Sequence, residues 1–574
     1  MWLPEGNNLV DNVGSTFLIA AWHELFHAFT PDSNQPRLHN VASLINELGD
    51  VSLRCCSDER FNSHLERVQQ ELNEAVENED DVLARLPEYR SRSEALVKAN
   101  SPKAINTECE LLEELRDDYE RNVIELATEA VSGLPRSKKK AHKGIRRIAT
   151  LALQGGKEDN DVWDVFNPDQ TRSPNELFDD LVELSIAGSR TFNCTLAVFG
   201  KRSEIQSTLR MIGFAPVSKD KLPEDYLSKV SGSNGGPMFV QFAATANSIR
   251  HAVSESRKKL GTAAGFVSLY RHSHAMHPHP ITLVESSGTQ VLFSQSDQAF
   301  RRLHPRARAD TDIRAAMDLV KNRNLDNRIL GAVELLSLES SESDSRVRLT
   351  NLWSSVETLS GAHEGRTTLE RVTSMLVPLV ITRHIGRAVR NLSIELQRFG
   401  AAIGKFDYGK GFSRSHAKYV SPIDMLLTLA SPPHTEPICD LLKFSEHPLL
   451  RFHIFRAWET LHDPKSLHGR LLRSKKSVEW QIQRIYRARN LLVHQGEETP
   501  FLDPLLDNLQ NYLSMATQRL IHELKKHPSW RLRHVIEHWN GRMQHTLRSL
   551  ERCPNVLTVN DVIDGGPNDK IWPK

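Results

Sequence analysis

Two long stretches of this 574-residue chain repeat apolar residues every three or four positions, which is the spacing of an amphipathic helix. In the first stretch, over 16–132, Val68, Leu72 and Val76 illustrate the repeat. In the second, over 310–553, the same spacing returns with few breaks. Helices of this kind bury their apolar faces by packing against one another. We therefore expect a mainly α protein.

Between these stretches the pattern changes to short strands and helices. Strand-like apolar runs occupy 191–199, 239–244 and 265–270, and the runs at 281–284 and 290–293 are typical of a closing hairpin. Strands that alternate with helices indicate a small α/β domain.

The length of the chain suggests several domains. The predicted segments are an N-terminal helical region at 1–135, a basic linker at 136–150, a small central α/β domain at 151–305, a C-terminal helical bundle at 310–555 and a tail at 556–574. The end of the tail has the composition of a loose terminus.

The charges are balanced, with 73 Lys and Arg against 72 Asp and Glu and a formal net charge of +1. Such a chain lacks the overall positive field of a protein that coats nucleic acid, so contact with RNA would depend on local patches. Basic runs stand at 136–147, 301–308 and 470–476. For each run we favour a solvated linker or helix face over a phosphate-binding patch.

Cysteine content and hydropathy indicate the compartment. The six cysteines, of which only Cys55 and Cys56 are neighbours, form neither a disulfide framework nor a paired CxxC zinc site. The segment 1–26 has no Lys or Arg ahead of its short apolar run, unlike a signal peptide. No run approaches the ~20 apolar residues of a membrane helix. We expect a cytoplasmic protein with no membrane partner and no cofactor.

His23, Glu24 and His27 match the HExxH pattern of zinc proteases, in which two histidines one helical turn apart bind the metal. Only 22 residues precede the match, too few for the sheet that flanks such a helix in those enzymes, and Pro31 ends the helix soon after it. We therefore favour surface and core histidines on an amphipathic helix. A zinc protease remains the less favoured alternative.

A second histidine-rich segment covers 272–279. In a strand, His272 and His274 would point to one side and offer two imidazoles to a metal. Pro278 and Pro280 favour a loop instead, and no cysteine or carboxylate stands nearby in the sequence to complete the site. We interpret this segment as a histidine-rich loop.

The segment 477–496 has the features of one helix, with Ser477 as the N-cap and Gly496 just past its end. Ile482, Ile485, Leu492 and Val493 give it an apolar face. Arg489 falls on the same face, where a guanidinium requires a partner. Asn490 and His494 stand one turn apart on an adjacent face, so the amide can orient the imidazole.

This segment carries a family resemblance. The run Arg489-Asn490-Leu491-Leu492-Val493-His494 resembles the RNxxxH signature of the HEPN superfamily of metal-independent ribonucleases, in particular its Apea-like branch. The run LWSSVETL at 352–359 resembles the opening helix of that branch, and 508–521 is similar to its closing helix. The resemblance covers roughly 346–526, about a third of the chain.

The resemblance implies a homodimer in which two Arg/His sets meet in one cleft and cut RNA by attack of the ribose 2′-OH. Arg489 and His494 would be catalytic, Asn490 a secondary polar contact and Glu357 an orienting carboxylate. The products would carry 2′,3′-cyclic phosphate and 5′-hydroxyl ends. The family also suggests a defence or stress effector, with the N-terminal helical and α/β regions sensing a trigger or restraining the nuclease.

One alternative keeps the same helical bundle but has no ribonuclease activity. In it, Arg489 forms an internal salt bridge with a helix carboxylate such as Glu357, and His494 caps the helix. The chain would then be a catalytically silent HEPN-like dimerisation or binding protein. Spacing alone does not decide, because several Arg/His pairs of this separation occur in the chain.

Overall fold

The structure, a computed structural model, describes most of the chain. The described residues are 13–26, 40–56, 62–154, 172–186, 188–199, 206, 209–230, 236–271, 277–286, 288–294, 313–314, 317–318, 326–340, 344–361, 365, 367–398, 421–432, 435–444, 447–497, 502–563 and 568–572. Within them the protein is mainly helical with one five-stranded sheet, as the apolar spacing predicts.

The described N-terminal residues fold into helices that share one apolar core. The helices are α1 (Val13–Phe26), α2 (Val41–Cys55), α3 (Asn62–Asn78), α4 (Asp80–Leu83), α5 (Pro87–Lys98), α6 (Pro102–Glu114), α7 (Arg116–Ser132), α8 (Lys138–Gln154) and α9 (Pro174–Ile186). Two side chains from the C-terminal half, Leu449 and Phe452, are buried in the same core. The N-terminal helices therefore pack directly against the C-terminal bundle.

The predicted basic linker at 136–150 is largely helical instead, because most of it belongs to α8. Ala141 and Ile145 are fully buried on the inner face of this helix. A Cβ atom placed on Gly144 would lie 3.0 Å from the Ala127 Cα of α7, so the two helices pack closely. The lysines that suggested a solvated linker occupy the other side of an amphipathic helix.

The central sheet consists of β1 (Arg190–Phe199), β2 (Ala215–Pro216), β3 (Met238–Ala246), β4 (His277–Ser286) and β5 (Thr289–Ser294). The strand order is β2-β3-β1-β4-β5, and all the pairings are antiparallel. The predicted hairpin is confirmed, with Gly288 at φ +80° in its turn. Helices α10 (Glu224–Val230) and α11 (Ile249–Arg271) pack against the strands.

One predicted strand is wrong. Residues 265–270 continue α11 rather than forming a strand. A short apolar run looks the same in a strand and in a buried helix, and here the preceding helix simply extends through it.

The described C-terminal residues form a second helical core that includes the fully buried Trp353 and Trp539. Its helices are α12 (Asn327–Ser340), α13 (Ser345–Ser360), α14 (Thr368–Ile381), α15 (His384–Arg398), α16 (Pro422–Leu429), α17 (Glu436–Phe444), α18 (Pro448–Leu461), α19 (Pro464–Gln495), α20 (Leu502–Lys526), α21 (Leu532–Arg552) and α22 (Val559–Val562). Helix α19 packs against α13, α14, α18, α20 and α21, so it is the central helix of this bundle.

The described part of the tail is more ordered than its composition suggests. The Val559 N–H donates to the Asp569 carbonyl at 2.8 Å, and Ile571 is buried. The Trp572 indole N–H donates to the Leu461 carbonyl at 3.1 Å. These contacts hold the tail against α18. Among all the described helices, none has the length and apolar character to cross a membrane.

Candidate functional site

Helix α19 carries the Arg489–His494 motif and is longer than predicted. It begins at Pro464, where the Asp463 carboxylate accepts hydrogen bonds from the backbone N–H groups of Lys465 and Ser466 at 3.3 and 3.0 Å. Ser477, the predicted N-cap, therefore lies inside the helix. The predicted end is confirmed, because Gly496 adopts φ +68° directly after Gln495.

The end of α19 is capped by the backbone itself. The Gly496 N–H donates to the Leu492 carbonyl at 3.1 Å, and the Glu497 N–H donates to the Leu491 carbonyl at 3.4 Å. Such a left-handed cap satisfies the last carbonyls of a helix. The helix therefore does not need the His494 side chain as a cap.

Arg489 lies at the edge of the buried face of α19. Ile482 and Ile485 on that face are fully buried, whereas the Arg489 side chain is 22% exposed. Val493, predicted to share the face, is instead 47% exposed. The bundle therefore leaves the last turn of the helix, beyond Leu492, open to solvent.

The two sequence motifs meet at Arg489 and Glu357. The Arg489 Nη2 atom lies 4.0 Å from the Glu357 Oε2 atom of α13, the outer limit of an ion pair. The other Glu357 oxygen accepts a hydrogen bond from the Trp353 indole at 2.7 Å. Because Trp353 is fully buried, it fixes the carboxylate that faces the guanidinium.

The remaining contacts of Arg489 are few. Its Nη1 atom donates to the Asn490 side-chain oxygen at 3.1 Å. Its Nε atom is buried and has no hydrogen-bond partner among the described residues. The pairing with Glu357 is long, so the guanidinium retains donors for a further group.

His494 stands in the last turn of α19 and is exposed. His494 stands five positions after Arg489, which corresponds to about 140° around the helix axis, and Asn490 lies at an angle between them. Among the described contacts none joins the imidazole to the guanidinium. In a single copy the two groups therefore project about 140° apart around one helix end.

The N-terminal helices cover the other side of α19. Arg54 of α2 donates to the Gln495 side-chain oxygen at 2.8 Å and to a Glu497 carboxylate oxygen at 2.7 Å, directly beside His494. Arg484 bonds to Glu47 of α2 at 2.8 Å and to Glu71 of α3. No local pattern in the sequence reveals these contacts, because the partners are more than 400 residues apart.

Burial and ion pairing shift the pKa values of the charged side chains in this contact. Arg484 is only 8% exposed. Burial alone would lower the pKa of its guanidinium, but Glu47 and Glu71 hold that pKa above the usual value. Burial raises the pKa of the Glu71 carboxyl, against the opposing effect of Arg484.

His64 of α3 packs against α19, where its ring is stacked on the Tyr486 ring at a centroid distance of 6.2 Å. Burial, followed by the positive charges of Arg487 and Arg67, lowers the pKa of this imidazole to about 4. Glu47 acts in the opposite direction.

The lowered pKa of His64 predicts that the free energy of unfolding depends on pH. Between pH 6.5 and 4 the unfolded state binds more protons at His64 than the folded state, so stability falls as the pH falls. Relative to a His64→Gln variant, the wild type is expected to lose roughly 2 kcal/mol more between pH 7.5 and 5. Urea denaturation at the two pH values measures this difference. Equal losses in the two proteins would contradict the assignment.

Of the zinc-protease candidates, only Glu24 has its side chain among the described residues. Glu24 is buried in α1, and its Oε2 atom lies 2.7 Å from the His453 Nε2 atom and 4.0 Å from that of His142. His27 lies outside the described residues, as does the side chain of His23. Among the described residues, no group of three or more His, Cys, Asp or Glu side chains is arranged to hold a metal.

The loop predicted for the histidine-rich segment at 272–279 is wrong for its last three residues, because 277–279 begin strand β4 and pair with β1. His272 and His274 lie outside the described residues, as does the basic run at 301–308.

Comparison with protein-family models, curated proteins and solved structures finds no significant match to this chain.

Proposed function

We propose that this chain is a metal-independent endoribonuclease whose C-terminal bundle is of HEPN type. The observation that carries the proposal is the meeting of two sequence motifs at one helix end. Glu357, held by Trp353, faces Arg489, and the exposed His494 follows in the next turn. An imidazole can transfer protons and a guanidinium can stabilise the phosphorane, which are the roles that cleavage of RNA without a metal requires.

In the proposed reaction one imidazole removes the proton from the ribose 2′-OH, and the 2′-oxygen attacks the phosphorus. The bond from phosphorus to the 5′-oxygen breaks, its electron pair stays on that oxygen, and a second imidazole protonates it. The guanidinium of Arg489 stabilises the negative charge of the pentacoordinate phosphorane. Asn490 and Glu357 hold the guanidinium in place.

Each copy contributes one His494, so the reaction needs a homodimer with two such helix ends in one cleft. The exposed Val493 adds an apolar side chain to the surface that would meet the second copy. A role as a defence or stress effector, acting on RNA in the cytoplasm, belongs to the same proposal.

The products test the chemistry. The full-length protein, incubated with RNA in excess EDTA, is expected to leave 2′,3′-cyclic phosphate and 5′-hydroxyl ends, which mass spectrometry identifies. A substrate of the same sequence with 2′-O-methyl riboses is expected to stay intact, because it has no 2′-OH to attack. Cleavage of the methylated substrate, or products with 5′-phosphate ends, would contradict the mechanism. Absence of cleavage would favour the silent binding protein.

A further inference from the structure

Helix α21 carries a row of exposed basic side chains along one face. Its opposite face holds buried residues such as Leu532, Ile536 and Trp539, and the helix packs against α14, α19 and α20. The exposed residues recur at alternating spacings of three and four, which places them on one side of a helix. This basic stripe consists of Arg531, His534, His538, Gly541, His545, Arg548 and Arg552, all of them exposed.

The composition of the stripe is one-sided. Six of its seven residues are arginine or histidine, and the seventh is Gly541. Arg531 stands at the N-cap and Arg552 is the last residue of this 21-residue helix, so the stripe is about 32 Å long at a rise of 1.5 Å per residue. Lys525 and Lys526, at the end of α20, are exposed just ahead of it in the sequence.

The two carboxylates of α21 lie beside the stripe rather than in it. Glu537 is 2.6 Å from Arg533, an arginine outside the stripe. Glu551 is 3.9 Å from Arg552, close to the outer limit of an ion pair. Glu523 of α20 is buried. Including Glu551, the stripe keeps an excess of positive charge, which favours an anionic partner.

The shape of the stripe suits a polar partner that lies along the helix. A Cβ atom placed on Gly541 would meet no neighbouring side chain or helix within 4 Å, so a partner can approach the backbone between His538 and His545. The stripe itself has no apolar side chain, because the apolar residues of α21 are buried in the core. Insertion into a lipid surface requires an exposed apolar face, so the stripe fits a membrane poorly.

We propose that the basic stripe binds the phosphate backbone of RNA. A row of cations complements the regular row of phosphates along a nucleic-acid strand, and such contacts depend on charge rather than on base sequence. The choice of RNA rests on the proposed ribonuclease function. The stripe belongs to α21 and not to α19, so it adds a surface that holds the substrate while Arg489 and His494 act on it.

Binding can be measured without cleavage on a labelled single-stranded RNA with 2′-O-methyl riboses, because the proposed mechanism needs a free 2′-OH. In fluorescence anisotropy with the full-length protein, we expect the triple variant Arg531→Ala/Arg548→Ala/Arg552→Ala to bind at least tenfold more weakly than the wild type. The slope of log affinity against log salt concentration should become shallower by about 2, since each phosphate contact on a single strand contributes about 0.7.

The matched control is the triple variant Lys98→Ala/Lys103→Ala/Arg121→Ala. It removes the same number of exposed positive charges from the N-terminal helices. Its affinity and its salt dependence should equal those of the wild type.

A second pair of variants tests the charge of the stripe at one position. Gly541→Glu places a carboxylate in the middle of the stripe, where there is open space, and should weaken RNA binding about fivefold or more. Gly541→Gln adds a neutral side chain of the same size and should have a much smaller effect. Both variants keep the proposal testable if the triple arginine variant does not fold, because replacing an exposed glycine inside a helix does not destabilise the helix.

Failure of the wild type to bind the methylated RNA would overturn the proposal, also where it binds single-stranded DNA or phosphatidylserine vesicles instead. Equal affinities of the wild type, the folded triple arginine variant and Gly541→Glu would overturn it as well. The ribonuclease proposal fails separately: a wild type that binds RNA through the stripe but leaves unmodified RNA intact would support the stripe and contradict the nuclease.

Discussion

Replacing His494 with alanine is expected to lower kcat/KM for RNA cleavage by about 10³-fold, within the range that general acid–base catalysis contributes. Both proton transfers in the proposed mechanism use this imidazole, one in each copy. The side chain is exposed at the end of α19, so its loss should leave the melting temperature unchanged. Initial rates on a labelled RNA in EDTA measure the effect.

His468→Ala is the matched control, because His468 lies on the same helix but far from the motif. It should cleave RNA at the wild-type rate. A His494→Ala protein that retains wild-type activity would remove this residue from the mechanism. Arg489→Lys is expected to be impaired as well, since an ammonium cannot reproduce the paired donors of a guanidinium.

Replacing Arg484 with alanine is expected to lower the free energy of unfolding by about 3–5 kcal/mol, the usual result of removing one partner of a buried ion pair. Arg484 bonds to Glu47 and Glu71, and all three side chains are largely buried. The variant would take the buried Glu71 carboxylate's cation away, while Glu47 keeps its ion pair with Arg487 at 2.6 Å. Urea denaturation at pH 7.5 measures the loss.

The same interface offers a control. Lys476 and Glu74 form an ion pair at 2.6 Å across it, but the lysine side chain is 55% exposed. Lys476→Ala is therefore expected to cost less than about 1 kcal/mol. The double variant Arg484→Met/Glu71→Gln should recover much of the stability, because it removes the buried Arg484–Glu71 pair together and leaves Glu47 paired with Arg487. Equal losses for Arg484→Ala and Lys476→Ala would show that the buried cluster has no special role.

Much of the helical architecture was predictable, because amphipathic spacing reports which face of a segment is buried. Gly496 marked the end of α19, since its left-handed conformation favours glycine. The start of α19 was missed, because Leu467 and Leu471 extend the buried face ahead of Ser477 within a basic run. Helix α8 was missed for the same reason, as its lysines obscured an apolar repeat.

The candidate site was only partly predictable. The contact between Arg489 and Glu357 follows from two motifs that each have a recognisable pattern. The salt bridges that join Arg484 to Glu47 and Glu71 depend on how distant helices pack, and no local pattern encodes that packing.

The most direct test of the central claim compares the wild type with the double variant Arg489→Ala/His494→Ala, purified in parallel and incubated with the same labelled RNA in excess EDTA. The wild type is predicted to cut the RNA, and the double variant is predicted to leave it intact. Cleavage at equal rates by both proteins would contradict the claim that these two side chains carry the reaction.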